Sequence, residues 1–248
     1  MSKEHSNRVA KHFAQRWDHY DLQIRAVVPF YDEMLSTVIA ISKHTVANPI
    51  NVLEIGVGTG YLTQLVAAAF PQAKITGMDI VQDFLRIAEE RLSGYGARIR
   101  LKHVDITEFE FVEKYDLVIT SLVFHHLKDK VKIRLYSDIC RSMKGGGCLI
   151  NADFVDSASR YYGQIFDRLR IELMRRAGCS EHEIQEKYIE HRNLEIPVPL
   201  EVQLAWLRDA GFTDVECYWK YLNLAAFGGR KAQASNDAHM SEPIEDDP

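Results

Sequence analysis

The chain has little of what several protein classes require. Its four cysteines, Cys140, Cys148, Cys179 and Cys217, are scattered through 248 residues without a C-x-x-C pair. That spacing suggests neither a zinc site nor a disulfide framework, so no metal is expected and the four read as reduced thiols in a cytoplasmic protein. No apolar run approaches the roughly 20 residues that span a bilayer, and the opening MSKEHSNRVAKHF lacks the apolar segment of a secretory signal. No membrane partner is expected. Positive charge is not in excess either: the formal net charge is −5, which argues against a protein built to coat nucleic acid. Arg160, Arg168, Arg170, Arg175 and Arg176 do crowd one region, mixed with Asp167 and Glu172 as on a solvated helix face. A small anionic substrate would suit the same arginines. Internal repeats and interdomain linkers are also missing.

What is present begins with an apolar content of 46%, enough to bury one large core, or one core with a modest cap. The stretch NVLEIGVGTGYLT, Asn51 to Thr63, organises the rest. Val52 to Ile55 reads as a short buried strand, apolar but for Glu54. Gly56-Val57-Gly58-Thr59-Gly60 then turns tightly into a helix running from about Tyr61 to Phe70. Alternate glycines let backbone N–H groups approach a ligand closely and accept positive φ. A dinucleotide fingerprint wants G-x-G-x-x-G, yet the third required place is held by Tyr61. An acid just before the loop suits a ligand with an ammonium group, a description that S-adenosylmethionine meets.

Ahead of this stretch, apolar residues recur at helical spacing. Val9, Phe13 and Trp17 form one series, and Val27, Tyr31, Met34, Leu35 and Val38 another, with a break at Trp17 to Asp21 and Pro29 near the start of the second helix. After it, strand and helix signals alternate. Strands are expected at Lys74 to Ile80, Ile99 to Ile106, Tyr115 to Ser121 and Cys148 to Phe154, with helices at Asp83 to Leu92 and Lys130 to Met143, the latter stopped by Lys144 to Gly147. Two more helices are expected between Ser157 and Asn193, split near Gly178, where Ser180 and Glu183 have capping-box spacing. A helix from Pro199 to Ala210 precedes two antiparallel strands, Val215 to Trp219 and Leu222 to Phe227. The expectation is an α/β fold with a doubly wound, mostly parallel seven-stranded sheet, a final antiparallel hairpin and a helical cap. Residues 1–48 read as an N-terminal helical lid, 49–231 as the ligand-binding domain with an insertion at 157–195, and 232–248 as an acidic disordered tail.

On such sheets ligands sit outside the carboxyl ends of the strands, where Glu54, Asp79, Asp105 and Ser121 all fall. Asp79, with Ile80 beside it, is placed to accept both hydroxyls of a ribose. Asp105, with Ile106, is placed to accept the exocyclic amine of an adenine. Each acid alone also reads as a turn former. Three at successive strand ends describe a nucleoside that carries an amino acid and no phosphates.

These motifs resemble the class I S-adenosylmethionine-dependent methyltransferases: VLEIGVGTG, Asp79, the VDI of Val104 to Ile106, LVITSLVFHHL and the closing VECYWKYLNLAAFGGRK. The resemblance implies S-adenosylmethionine as cofactor, with Gly56, Val57, Gly58 and Gly60 in its loop. A closer resemblance is to the carboxy-S-adenosylmethionine synthases, which serve transfer-RNA wobble modification. It rests on Val28-Pro29-Phe30-Tyr31, on S-E-x-E-I-x-x-K at Ser180 to Lys187, and on Ala210-Gly211-Phe212. It implies that Tyr31 binds the amino-acid end of the cofactor and that Ser121 stands where the family places a cofactor-contacting asparagine. In that family an arginine follows the lysine and grips an extra carboxylate; here Tyr188 follows Lys187. A tyrosine supplies no bidentate charged clamp, which favours ordinary methyl transfer over prephenate-dependent carboxylation.

Methyl transfer from a sulfonium needs alignment and exclusion of water more than a covalent nucleophile. A base helps if the acceptor is a hydroxyl or an amine. His125 and His126 are candidates, against a role in shaping their loop, and Tyr20 is a candidate to lie over the methyl group, against simple packing. Tyr188 and Arg192 are candidates for contact with a small-molecule methyl acceptor. A homodimer is allowed for. A non-catalytic protein that binds the cofactor remains an alternative, and a nicotinamide oxidoreductase is disfavoured by Tyr61 and Glu54.

Overall fold

The computed structural model describes residues 20–46 and 50–233, without the side chains of residues 22 and 190–192. The expected series Val9, Phe13 and Trp17 and the tail beyond residue 233 lie outside the described residues.

β1 (Asn51–Ile55) is buried at every position after the first, as a strand covered on both faces must be. It pairs in parallel with β2 (Lys74–Asp79) on one side and β4 (Tyr115–Ser121) on the other. With β3 (Ile99–His103), β5 (Met143–Phe154), β6 (Phe212–Tyr221) and β7 (Leu224–Lys231) the order is β3-β2-β1-β4-β5-β7-β6, and β7 runs antiparallel to both its neighbours. The doubly wound sheet with a closing hairpin is therefore present. Its order reverses between β1 and β4, the place where parallel sheets open a crevice.

Alternate residues of the strands feed two cores, as the two-residue period requires. On one face Val52, Ile75, Leu117 and Ile150 pack under α1 (Tyr20–Val27), α2 (Tyr31–Thr45) and α3 (Tyr61–Ala69). On the other, Leu53, Ile55, Val118 and Leu149 meet α5 (Asp129–Ser142) and α8 (Leu200–Asp209). α4 (Gln82–Leu92) closes a smaller cluster in which Leu85, Ala88 and Leu92 surround Val57. The insertion forms α6 (Arg160–Arg176) and α7 (Glu181–Leu194). Its capping box is made: the Ser180 N–H donates to Glu183 Oε2 at 2.7 Å and the Glu183 N–H to Ser180 Oγ at 3.3 Å.

Several boundaries differ from the sequence reading. The break among the first helices falls at Val28 to Phe30, so Val27 ends α1 instead of joining Tyr31; the residue before a proline is biased away from the helix, and Phe30 enters α2 with φ 57°. β3 stops at His103, and Asp105 lies beyond it, capping a short turn over Ile106–Glu108. β5 starts at Met143, so Lys144 to Gly147 extend the strand rather than stop the helix, with a register shift between the Tyr115 and Leu117 pairs. Leu222 is in the two-residue turn of the β6–β7 hairpin, with φ 50°; tight hairpin turns require positive φ.

Gly77 of β2 lies under the glycine-rich loop, and a Cβ there would come within 2.4 Å of Val57 Cγ2. Gly77→Ala is expected to cost about 1–3 kcal/mol of stability in urea unfolding. Combining it with Val57→Ala should cost less than the sum of the two, since the clashing methyl is gone; strict additivity would contradict this packing.

Candidate functional site

The loop after β1 is pinned to the end of β2. The Gly56 and Val57 N–H groups both donate to Met78 O, at 2.8 and 3.0 Å. The Gly58 N–H donates to Asp79 Oδ2 at 2.8 Å, and the Val81 N–H to Asp79 Oδ1, also at 2.8 Å. Gly56 has φ 76°, and a Cβ there would run into Val123 at 2.1 Å. A Cβ on Gly58, φ 54°, would meet nothing within 4 Å, because this glycine faces a cavity. Burial pushes the Asp79 carboxyl up, against the hydrogen bonds it accepts from Val81 and Gly58.

That cavity lies over the carboxyl ends of β1, β2 and β4 and is lined by Gly56, Gly58, Asp79, Ile80, Asp105, Ile106 and Ser121. Seven residues chosen from sequence thus share one wall. Tyr20, Leu122 and His126 line it too, and Tyr20 packs on Phe84 with ring centroids 4.9 Å apart. Asp105 Oδ1 accepts the Thr107 N–H at 2.8 Å. Ser121 Oγ is buried and has no hydrogen-bond partner among the described residues, as a hydroxyl awaiting a ligand would be.

A second cavity adjoins the first. Tyr20, Leu122 and His126 line both, so these three side chains form the shared wall. The remaining lining comes from α1 and Val28, from His125 and Phe154, from α6 and α7, including Arg170, Met174, Ile184, Lys187 and Tyr188, and from Glu195 just beyond α7. His125 is held by Asp153 twice: its N–H donates to Oδ2 at 2.9 Å, and Nδ1 lies 2.5 Å from Oδ1. With the Nδ1 proton directed at Asp153 Oδ1, the neutral ring keeps its lone pair on Nε2. Burial pulls the imidazole down, but the charge and hydrogen bond of Asp153 together hold it above its ordinary value. Lys132, buried on α5, donates to Ile196 O, and burial pushes its ammonium down.

Other candidates are placed elsewhere. Val57 turns its side chain into the cluster with α4, and Gly60 packs where a Cβ would meet Ala88 and Leu92 at 3.1 Å; neither lines the cavities. Glu54 is 1% exposed behind the loop, where Thr63 Oγ1 donates to its Oε2 at 2.5 Å. Tyr31 stacks on Tyr61 at 6.3 Å, outside both cavities, and burial raises its phenol. The Arg192 side chain lies outside the described residues, while Tyr188 lines the second cavity.

Sequence reading missed several groups. Asp153 stands one residue before the end of β5, as Asp79 stands at the end of β2, so the strand-end rule could have found it. Arg170, named in the sequence only as one of five crowded arginines that a small anion would suit, and Met174, one turn on, are the buried residues of α6, a spacing visible within the arginine-rich run. Asp21 accepts from Thr59 Oγ1 at 2.6 Å and pairs with Arg91, which donates to the same Thr59 oxygen at 3.0 Å. These contacts fasten α1, and Tyr20 with it, to the glycine-rich loop.

Residues 52–147 match the family described as a methyltransferase domain. With the strand order and the strand-end cavity, this match supports an enzyme of the class I S-adenosylmethionine-dependent methyltransferase type. Among curated proteins it is 27% identical to a carboxy-S-adenosyl-L-methionine synthase of Helicobacter hepaticus over 86% of this chain and 90% of that protein. Among solved structures, N-methyltransferase NodS from Bradyrhizobium japonicum, bound to S-adenosyl-L-homocysteine, superposes with a TM-score of 0.61 at 19% identity, over 90% of this chain and 98% of NodS. Phosphoethanolamine N-methyltransferase 2 of Haemonchus contortus, with S-adenosyl-L-methionine, gives 0.56 at 23% identity over 75% of this chain, which spans only 38% of that enzyme. At these identities the two structures share the fold. The orphaned Ser121 hydroxyl, the open face of Gly58 and the acids on the wall fit S-adenosylmethionine as cofactor.

Glu54 gives the site a pH signature. Burial is the main cause that pushes its carboxyl up to about 8, opposed by the Thr63 hydrogen bond and aided by the Asp79 charge. The folded chain then binds a proton that the unfolded chain has lost, so stability falls as pH rises from about 4.5 to 8. Glu54→Gln should flatten this fall by on the order of 5 kcal/mol in chemical unfolding of the ligand-free protein. Parallel pH profiles for the two proteins would refute a neutral Glu54.

Proposed function

We propose that this enzyme transfers the S-methyl group of S-adenosylmethionine to an oxygen or nitrogen of a small molecule held in the second cavity. The observation that carries this reading is the shared wall: Tyr20, Leu122 and His126 line both chambers, so two bound molecules meet there. Asp79 and Asp105 hold the nucleoside, with Ser121 and the N–H groups of the loop, while α1 acts as a lid over the junction. S-adenosylmethionine supplies an electrophilic methyl group on a sulfonium, whose departure needs no acid. The protein contributes alignment, a recessed chamber, and a base. His125 Nε2 takes the proton of the acceptor O–H or N–H, and Asp153 steadies the resulting imidazolium through Nδ1–H.

The relation to carboxy-S-adenosyl-L-methionine synthases supports a second reading, in which the cofactor itself is carboxylated. Incubation with S-adenosylmethionine and either prephenate or a panel of hydroxylated and amino acceptors separates the two. S-adenosylhomocysteine formed with a methylated acceptor upholds methyl transfer. A nucleoside heavier by one carboxyl group, formed with prephenate, overturns it.

Two sets of variants test the roles. Asp79→Ala should weaken S-adenosylhomocysteine binding at least tenfold, about 1.4 kcal/mol, in calorimetry. His125→Ala should lower kcat by roughly 10²–10⁴-fold. Because Asp153 holds the imidazole high, the wild-type rate climbs with pH through that raised value, and Asp153→Asn should move the acid limb to lower pH while lowering the plateau. An unmoved limb would remove Asp153 from the role.

A further inference from the structure

Arg170 stands on α6 with 9% of its surface exposed and lines the second cavity. Among the described residues it makes no hydrogen bond and no ion pair. Its partner is the Phe154 ring, whose centroid is 5.5 Å from the guanidinium carbon. Asp167, one turn earlier and also on the cavity wall, forms no ion pair with it. A guanidinium keeps its charge and offers five N–H donors in a rigid fork. An aromatic face replaces only part of the hydration that a buried cation gives up. The missing partner is an anion, and the fork matches a carboxylate.

We propose that Arg170 anchors a carboxylate of the methyl acceptor, and that this acceptor is a carboxylic acid with an apolar body. The proposal rests on the second cavity being the acceptor chamber. The same wall carries Ile24, Val28, Met174 and Ile184 as apolar surface for the body of the acid, and Asp167, Lys187 and Glu195 as its other charged groups. The arrangement also has direction. Arg170 lies against the Phe154 ring, and that ring meets His125 edge-on at 5.3 Å. An acid gripped at one end lays its body along Phe154 and presents its other end to His125 and the shared wall.

The test uses the full chain with phenylacetate and 4-methylpentanoate, each compared with its own amide, by calorimetry with and without S-adenosylhomocysteine. The acids should bind at least tenfold tighter than the amides. Arg170→Gln should bring the acids down to the amide level while S-adenosylhomocysteine affinity changes less than twofold, and Arg170→Lys should keep an intermediate preference. Arg170→Met removes an unpaired buried charge, so ligand-free protein should melt higher than wild type and no longer gain from phenylacetate. Equal binding of acid and amide, an undiminished preference in Arg170→Gln, or a lower melting point for Arg170→Met overturns the anchor. So does a carboxylate preference confined to carboxy-S-adenosylmethionine, which would put the carboxylate on the nucleoside. Acid preference without S-adenosylhomocysteine binding would keep the anchor and sink the transferase reading; the reverse pattern would sink the anchor alone.

Discussion

Two backbone N–H groups converge on the Asp79 carboxylate, one from Gly58 in the loop after β1 and one from Val81 at the entry to α4. The same stretch of β2 receives the Gly56 and Val57 N–H groups at Met78 O, and Asp79 O receives the Val104 N–H at 2.9 Å. One short segment therefore ties the loop, the helix and the end of β3 into a single rigid corner. Carboxylates at the ends of parallel strands are often read only as ligand contacts. This one first builds the floor of the strand-end cavity, and both its oxygens keep lone pairs for a guest.

The wall between the chambers has its own cost. Leu122 has φ 56°, a conformation unfavourable by roughly 1–2 kcal/mol for a residue with a side chain. Its N–H donates to Ala152 O at 2.9 Å, which fixes it beside the end of β5. The backbone turns there so that Ser121 closes the first cavity, His125 opens on the second, and Leu122 separates them. Local strain persists where the surroundings over-determine it, and here two sheet strands and a short helical turn do so.

Much of this was legible in the chain itself. The alternation of strand and helix signals predicts the sheet, and Gly56, Gly58, Asp79, Asp105 and Ser121 meet as their strand-end positions imply. Single-chain patterns do not say which way a loop residue faces. Val57 and Gly60 belong to the same motif as their neighbours, yet serve packing against α4. Glycines usually punctuate, so Gly145 to Gly147 read as a stop. In the fold Gly147 is where β5 approaches β4, with Asp116 O 2.9 Å from a would-be Cβ. The His125–Asp153 pair joins positions 28 residues apart on neighbouring strand ends. Arg170 looked like one charge among several until the helix was seen from its buried side.

The two chambers share Tyr20, Leu122 and His126 but differ in what α6 and α7 give them. The strand-end cavity takes its walls from residues between Tyr20 and Leu127, and neither α6 nor α7 contributes to it. The second cavity takes Asp167, Arg170, Ile171, Met174, Ile184, Lys187 and Tyr188 from those two helices. On the function proposed above, changes confined to that stretch of some forty residues would reshape what the enzyme accepts and leave the strand-end cavity intact. In evolutionary terms the scaffold is modular: substrate choice can drift or be redesigned in α6 and α7 while the rest of the chain stays under separate selection.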